Sequence, residues 1–85
     1  MDEITKQVIQ GKVHIHVGKK GITKELITQI SIIMRNKILI KVKFLDISNY
    51  NTLEEAFLDL SLKTKTEIID KRGKTCVIKK KINSN

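Results

Sequence analysis

Val17-Gly18-Lys19-Lys20-Gly21-Ile22-Thr23 is the stretch on which the reading of this chain turns. It reads as a β-strand running into a glycine-bracketed, doubly basic turn that opens a helix. Glycine lets the backbone take φ > 0 and lets a ligand approach without meeting a Cβ. The helix start beyond it offers unpaired N–H groups and a positive dipole end, with Lys19, Lys20 and Lys24 beside it. A G-x-x-G turn with basic middle residues at a helix start is a device for clamping a sugar–phosphate backbone. Taken alone, such a motif is more often a surface turn with solvated lysines, so the rest of the chain has to decide.

Upstream, Lys12 to Val17 alternates, with Val13, Ile15 and Val17 on one face and His14 and His16 on the other, as in a one-sided strand. Before it, Ile4 to Gln10 fits a short helix with Ile4, Val8 and Ile9 inward, stopped by Gly11. Downstream, Thr23 is an N-cap, Glu25 sits in the first turn, and Ile22, Leu26, Ile30 and Ile33 form a helical stripe ending near Arg35-Asn36-Lys37. Leu39 to Phe44 alternates again, Ile40, Val42 and Phe44 opposite Leu39, Lys41 and Lys43. Asn51 or Thr52 caps a third helix whose stripe is Leu53, Ala56, Phe57 and Leu60, each cap having a glutamate three residues on. Thr66 to Lys71 and Lys74 to Lys80 pair as a hairpin across Arg72-Gly73, with Cys76 and Ile78 on one face and Val77 on the other.

The order α-β-α-β-α-β-β predicts a two-layer α/β domain with a four-stranded mixed sheet. Its amphipathic helices bury their stripes on the apolar strand face. The other face, bearing His14, His16, Lys41 and Lys43, is expected to stay open.

Eighty-five residues make one domain, with a core over about 13–80 and a polar tail over 81–85. Seventeen Lys+Arg against nine Asp+Glu give a formal net charge of +8, which implies a polyanionic partner. Membrane association is disfavoured: no apolar run approaches the ~20 residues of a span, and the N-terminus is acidic, unlike a signal peptide. A single cysteine, Cys76, excludes an internal disulfide and a cysteine-based zinc site. His14-x-His16 has no third ligand candidate nearby, and no carboxylate pair or Cys–His arrangement suggests catalysis. The expectation is therefore a cytoplasmic, monomeric, non-catalytic protein without metal, cofactor or small-molecule substrate.

In three blocks the chain resembles the CRM domain (chloroplast RNA splicing and ribosome maturation), particularly its stand-alone YhbY-like form. Val17 to Thr23 is similar to the family's V-G-K-x-G-L-T. Leu39-Ile40-Lys41-Val42-Lys43 is identical to its L-I-K-V-K. Leu60, Thr64 and then Gly73 to Ile78 are similar to L-x-x-x-T, G-x-T and an aliphatic strand. Three features depart from the pattern: a first helix without Q-x-x-x-L-R, Lys65 where many members carry a helix-ending glycine, and Ile78-Lys79-Lys80 in place of L-Y-R.

The resemblance implies a fold similar to the C-terminal domain of the third bacterial translation initiation factor, with a KH-like G-x-x-G loop. It implies binding to structured RNA, ribosomal RNA during large-subunit assembly above all. The candidate RNA contacts are Gly18, Lys19, Lys20, Gly21, Lys24, Lys41, Lys43, Arg72 and Lys74. The alternative is a protein-interaction or translation-factor-like domain that docks on the ribosome.

Overall fold

The computed structural model describes residues 3–81. They form α1 (Glu3–Gln10), β1 (Ile15–Val17), α2 (Lys24–Ile33), β2 (Leu39–Phe44), α3 (Leu53–Thr64), β3 (Thr66–Arg72) and β4 (Thr75–Lys80). The expected element order and mixed sheet are present. The strands lie in the order β1-β2-β4-β3, with β1 parallel to β2 and the other neighbours antiparallel. Consequently the N-termini of α2 and α3 lie at the end where β1 and β2 finish. Their C-termini lie at the end where β2 starts and β4 finishes.

Ile15, Val17, Ile40, Val42, Phe44, Cys76 and Ile78 line one sheet face and are buried against Ile30 and Met34 of the α2 side and Ala56, Phe57 and Leu60 of α3. Ile30 is only 1 % exposed, so truncation to alanine would cost about 2–5 kcal/mol. Burial pushes the Cys76 thiol up to about 12, with Lys71 pulling weakly the other way; the residue behaves as a small apolar side chain.

Both long helices begin on threonine caps. Thr23 Oγ1 accepts from Leu26 N–H at 3.1 Å, and Thr52 Oγ1 from Glu55 N–H at 3.1 Å. Glu55 returns its Oε2 to the Asn51 N–H at 2.9 Å, a capping box displaced by one residue. Of the two candidates for the third helix, Thr52 is the cap.

Three expectations need correction. Ile4 is 68 % exposed rather than inward. Val13 is only half-buried and lies outside β1. The ladder is irregular there because Nδ1 of His14, rather than a main-chain carbonyl, accepts the Lys41 N–H at 2.9 Å.

The third correction is larger: the second sheet face is not fully open. α1 lies across it, and Ile9 is buried with Leu39 and Val77 while Val8 and Ile69 flank them. Ordinary strand alternation sends Ile68 to the main core and Ile69 to this smaller one, and a bulge leaves Ile69 as the extra residue between the pairs Ile68–Ile78 and Asp70–Val77. Leu39 and Val77 are apolar positions on an otherwise basic face, and α1 supplies the cover they need.

Candidate nucleic-acid interface

Gly18 to Gly21 forms a tight turn, with the Gly21 N–H donating to the Gly18 carbonyl at 3.0 Å. Lys19 and Lys20 occupy its two central positions and are exposed. Gly21 has φ +75°, a left-handed value that a side chain would resist, and a Cβ there would stand 3.2 Å from Nδ2 of Asn49. A Cβ on Gly18 would meet nothing within 4 Å, so the approach to the turn is clear.

The turn hands the chain to α2. Thr23 satisfies the amides of Leu26 and Ile27 through its hydroxyl and carbonyl. The N–H groups of Lys24 and Glu25 have no intrahelical acceptor at this position, and the Lys24 side chain is exposed beside them.

Two more loops meet the turn at this end of the sheet. Leu45 N–H donates to the Val17 carbonyl at 2.8 Å, and Phe44 N–H to that of Lys74 at 2.9 Å. The segment after β2 and the two-residue turn Gly73-Lys74 are thereby fixed alongside Gly18–Gly21. Asn49 reaches across to the Lys19 carbonyl at 3.1 Å. Ser48 holds the Asp46 carboxyl below its ordinary value, with Lys19 and Lys74 adding smaller attractions. Asp46 thus sits among these lysines as an internal counter-charge. Lys43, exposed near the end of β2 and paired in register with Thr75, completes the cluster.

Two of the candidate contacts behave differently. Lys41 is half-buried and points its ammonium at the end of α1, donating to the carbonyls of Ile9 at 2.6 Å and Gly11 at 2.9 Å. The expectation of an exposed Lys41 on an open face is therefore corrected: a helix terminus with orphan carbonyls has taken that charge. Arg72 is exposed but leans on Asp70 at 3.3 Å.

The histidines also part company. His16 is exposed, whereas His14 is half-buried with Nδ1 committed to Lys41. Burial lowers the His14 pKa from its ordinary value, and the nearby Lys37 and Lys41 charges add to the effect. Among the described residues no group of three or more His, Cys, Asp or Glu is placed to hold a metal, and no helix is long and apolar enough to cross a membrane.

Aromatic stacking has no obvious partner at this surface. Phe44, Tyr50 and Phe57 pack on one another, the Phe44 ring centroid lying 6.3 Å from Tyr50 and 5.7 Å from Phe57. Tyr50 hydrogen-bonds to Asp59, and burial together with that bond pushes its phenol up to about 12. What dominates the surface is a set of ammonium groups, backbone amides and glycine backbone, with Asp46, Asn49 and the exposed His16 among them.

Residues 1–80 match the family model of the CRS1/YhbY (CRM) domain. The chain belongs to this family. A hypothetical protein from Staphylococcus aureus, described as a candidate RNA-binding protein, has a solution structure that superposes on this CRM domain with a TM-score of 0.73. The two share 28% identity over 95% of this chain and 83% of the other. No curated protein matches the chain.

Asn49 and Asp46 were not singled out by the sequence, although both lie in a polar stretch after β2. Asp46 bonds locally to Ser48, but the Lys19 carbonyl that Asn49 holds and the Lys19 and Lys74 charges beside Asp46 are far away along the chain, and only the meeting of β1 and β2 ends brings them together.

Proposed function

We propose that this CRM domain binds RNA without catalysing a reaction on it, gripping the sugar–phosphate backbone with the Gly18–Gly21 turn and the start of α2. The observation that carries the proposal is the convergence of Lys19, Lys20, Lys24, Lys43 and Lys74 on one end of the sheet around that turn. Each ammonium matches a phosphate, the turn admits close backbone approach, and the packed aromatics leave little for base stacking. The family and the description of the staphylococcal protein support the same reading. The biological target in this proposal is ribosomal RNA of the large subunit during its assembly, met in the cytoplasm by a monomer.

Crosslinking a tagged copy in cells and sequencing the attached RNA tests the target. Enrichment of large-subunit precursor RNA is expected, and recovery of unrelated transcripts in proportion to their abundance would contradict it. A second reading, docking through protein, draws on Leu58 and Leu62, which are 58 % and 67 % exposed one turn apart on α3. It predicts ribosome association that resists salt, whereas phosphate binding weakens steeply with it.

A further inference from the structure

A second basic surface lies at the opposite end of the sheet. The C-terminal ends of α2 and α3, the start of β3 and the end of β4 enclose a cleft of about 280 Å³ over Ile30 and Met34. Arg35, Lys65, Lys80 and Lys81 line it, and no carboxylate does. None of the four cations forms an ion pair among the described residues, whereas Lys63, Lys71 and Arg72 all do. The threonine hydroxyls at its edge are already engaged, Thr64 with the Leu60 carbonyl at 2.6 Å and with Thr66 at 2.8 Å.

Lys65 occupies this cleft against its backbone preference. It closes α3 in the left-handed conformation, φ 55° and ψ 47°, which costs a non-glycine residue about 1–2 kcal/mol. A glycine would end the helix without that strain; a lysine adds a charge to a place that already gathers three others.

We infer that this cleft is a second RNA-backbone site, taking phosphodiester groups. The inference rests on the RNA-binding reading above. β2 separates the cleft from the Gly18–Gly21 turn by its own length, about 17 Å for six residues. A single phosphate cannot occupy both ends. The domain therefore holds an RNA at two separated points, along a strand several nucleotides long or across a fold of the RNA.

The test uses the full chain, a long labelled oligouridine, and a cleft variant combining Lys65→Gly with Lys81→Gln. The first change relieves strain and the second lies beyond the end of β4, so the variant retains its fold. A control variant, Lys6→Gln with Lys12→Gln, removes the same charge elsewhere. The cleft variant is expected to bind about three- to tenfold more weakly. Its log–log salt slope becomes shallower by about 1.4, and its melting temperature does not fall. The control should change affinity by less than about twofold. Equal, small losses in the cleft and control variants, alongside a large loss on replacing Lys19 and Lys20, would overturn the second site and leave the first. Wild-type protein without salt-sensitive binding would overturn the RNA-binding reading itself.

Discussion

Asn49 donates from Nδ2 to the main-chain carbonyl of Lys19 at 3.1 Å, tying the loop before α3 to the basic turn before α2. The bond restrains the turn without using either lysine ammonium. Replacing Asn49 by Ala should free the turn and weaken RNA binding by about two- to tenfold, the value of one net hydrogen bond. The melting temperature should change little, because Asn49 is exposed. Equilibrium binding beside a thermal melt checks both, and unchanged affinity would mean the turn holds its shape alone.

Lys41 is predicted to act as a latch for α1. Lys41→Met keeps the stem and removes the donor, leaving the Ile9 and Gly11 carbonyls without their ammonium partner. A loss of about 1–3 kcal/mol is expected, with faster hydrogen exchange confined to α1. RNA affinity should fall much less than on changing Lys19 and Lys20. A large loss of affinity with unchanged stability would restore Lys41 as an RNA contact.

Lys65→Gly should stabilise the domain by about 1 kcal/mol, by removing the cost of a side chain in the left-handed region. For a domain of this size that corresponds to a rise in melting temperature of about 4–8 °C. A melting temperature that stays level or drops would show that the lysine packing at the end of α3 outweighs the strain.

His14 makes stability depend on pH in a direction fixed by its environment. Burial and the neighbouring Lys37 and Lys41 favour the neutral ring in the folded chain, so its pKa lies below the ordinary 6.5. The unfolded chain therefore takes up the proton first as pH falls. The contribution is complete above about 6.5 and is lost as pH drops from there through the folded value. Protonation also turns Nδ1 into a donor, which ends the bond from the Lys41 N–H. Melting temperatures measured from neutral to mildly acidic pH should fall more for the wild type than for His14→Gln. Parallel curves would remove His14 from the account.

Periodicity made much of this fold legible. The alternation in Leu39–Phe44 placed Ile40, Val42 and Phe44 in the core, and the α2 stripe placed Ile30 there, because these positions answer to a local repeat. The thread of Thr23 into α2 was equally local, one hydroxyl to an amide three residues on. What escaped was long-range. Lys41 was assigned to the correct side of β2, but its partner lies 30 residues or more away at the end of an eight-residue helix. A helix that short has no independent stability by which to announce where it docks. Leu39 and Val77 were the available clue, two apolar side chains on a face otherwise read as polar. At the basic end, the lysines were visible in sequence, while Asn49 acquires its meaning only from the closeness of two loops.

The most direct test of the central claim is the salt dependence of RNA binding by the wild type, by Lys19→Ala with Lys20→Ala, and by Lys6→Ala with Lys12→Ala. All four lysines are exposed, so folding should be unaffected and the two variants carry the same net charge. If four to six phosphates are neutralised, the wild-type log–log slope on single-stranded RNA should lie around −3 to −4, at about −0.7 per phosphate. Removing Lys19 and Lys20 should make it shallower by about 1.4 and weaken binding far more than the control. Affinity indifferent to salt, or a control pair that weakens binding as much as the turn pair, would contradict the Gly18–Gly21 turn as the RNA-backbone site.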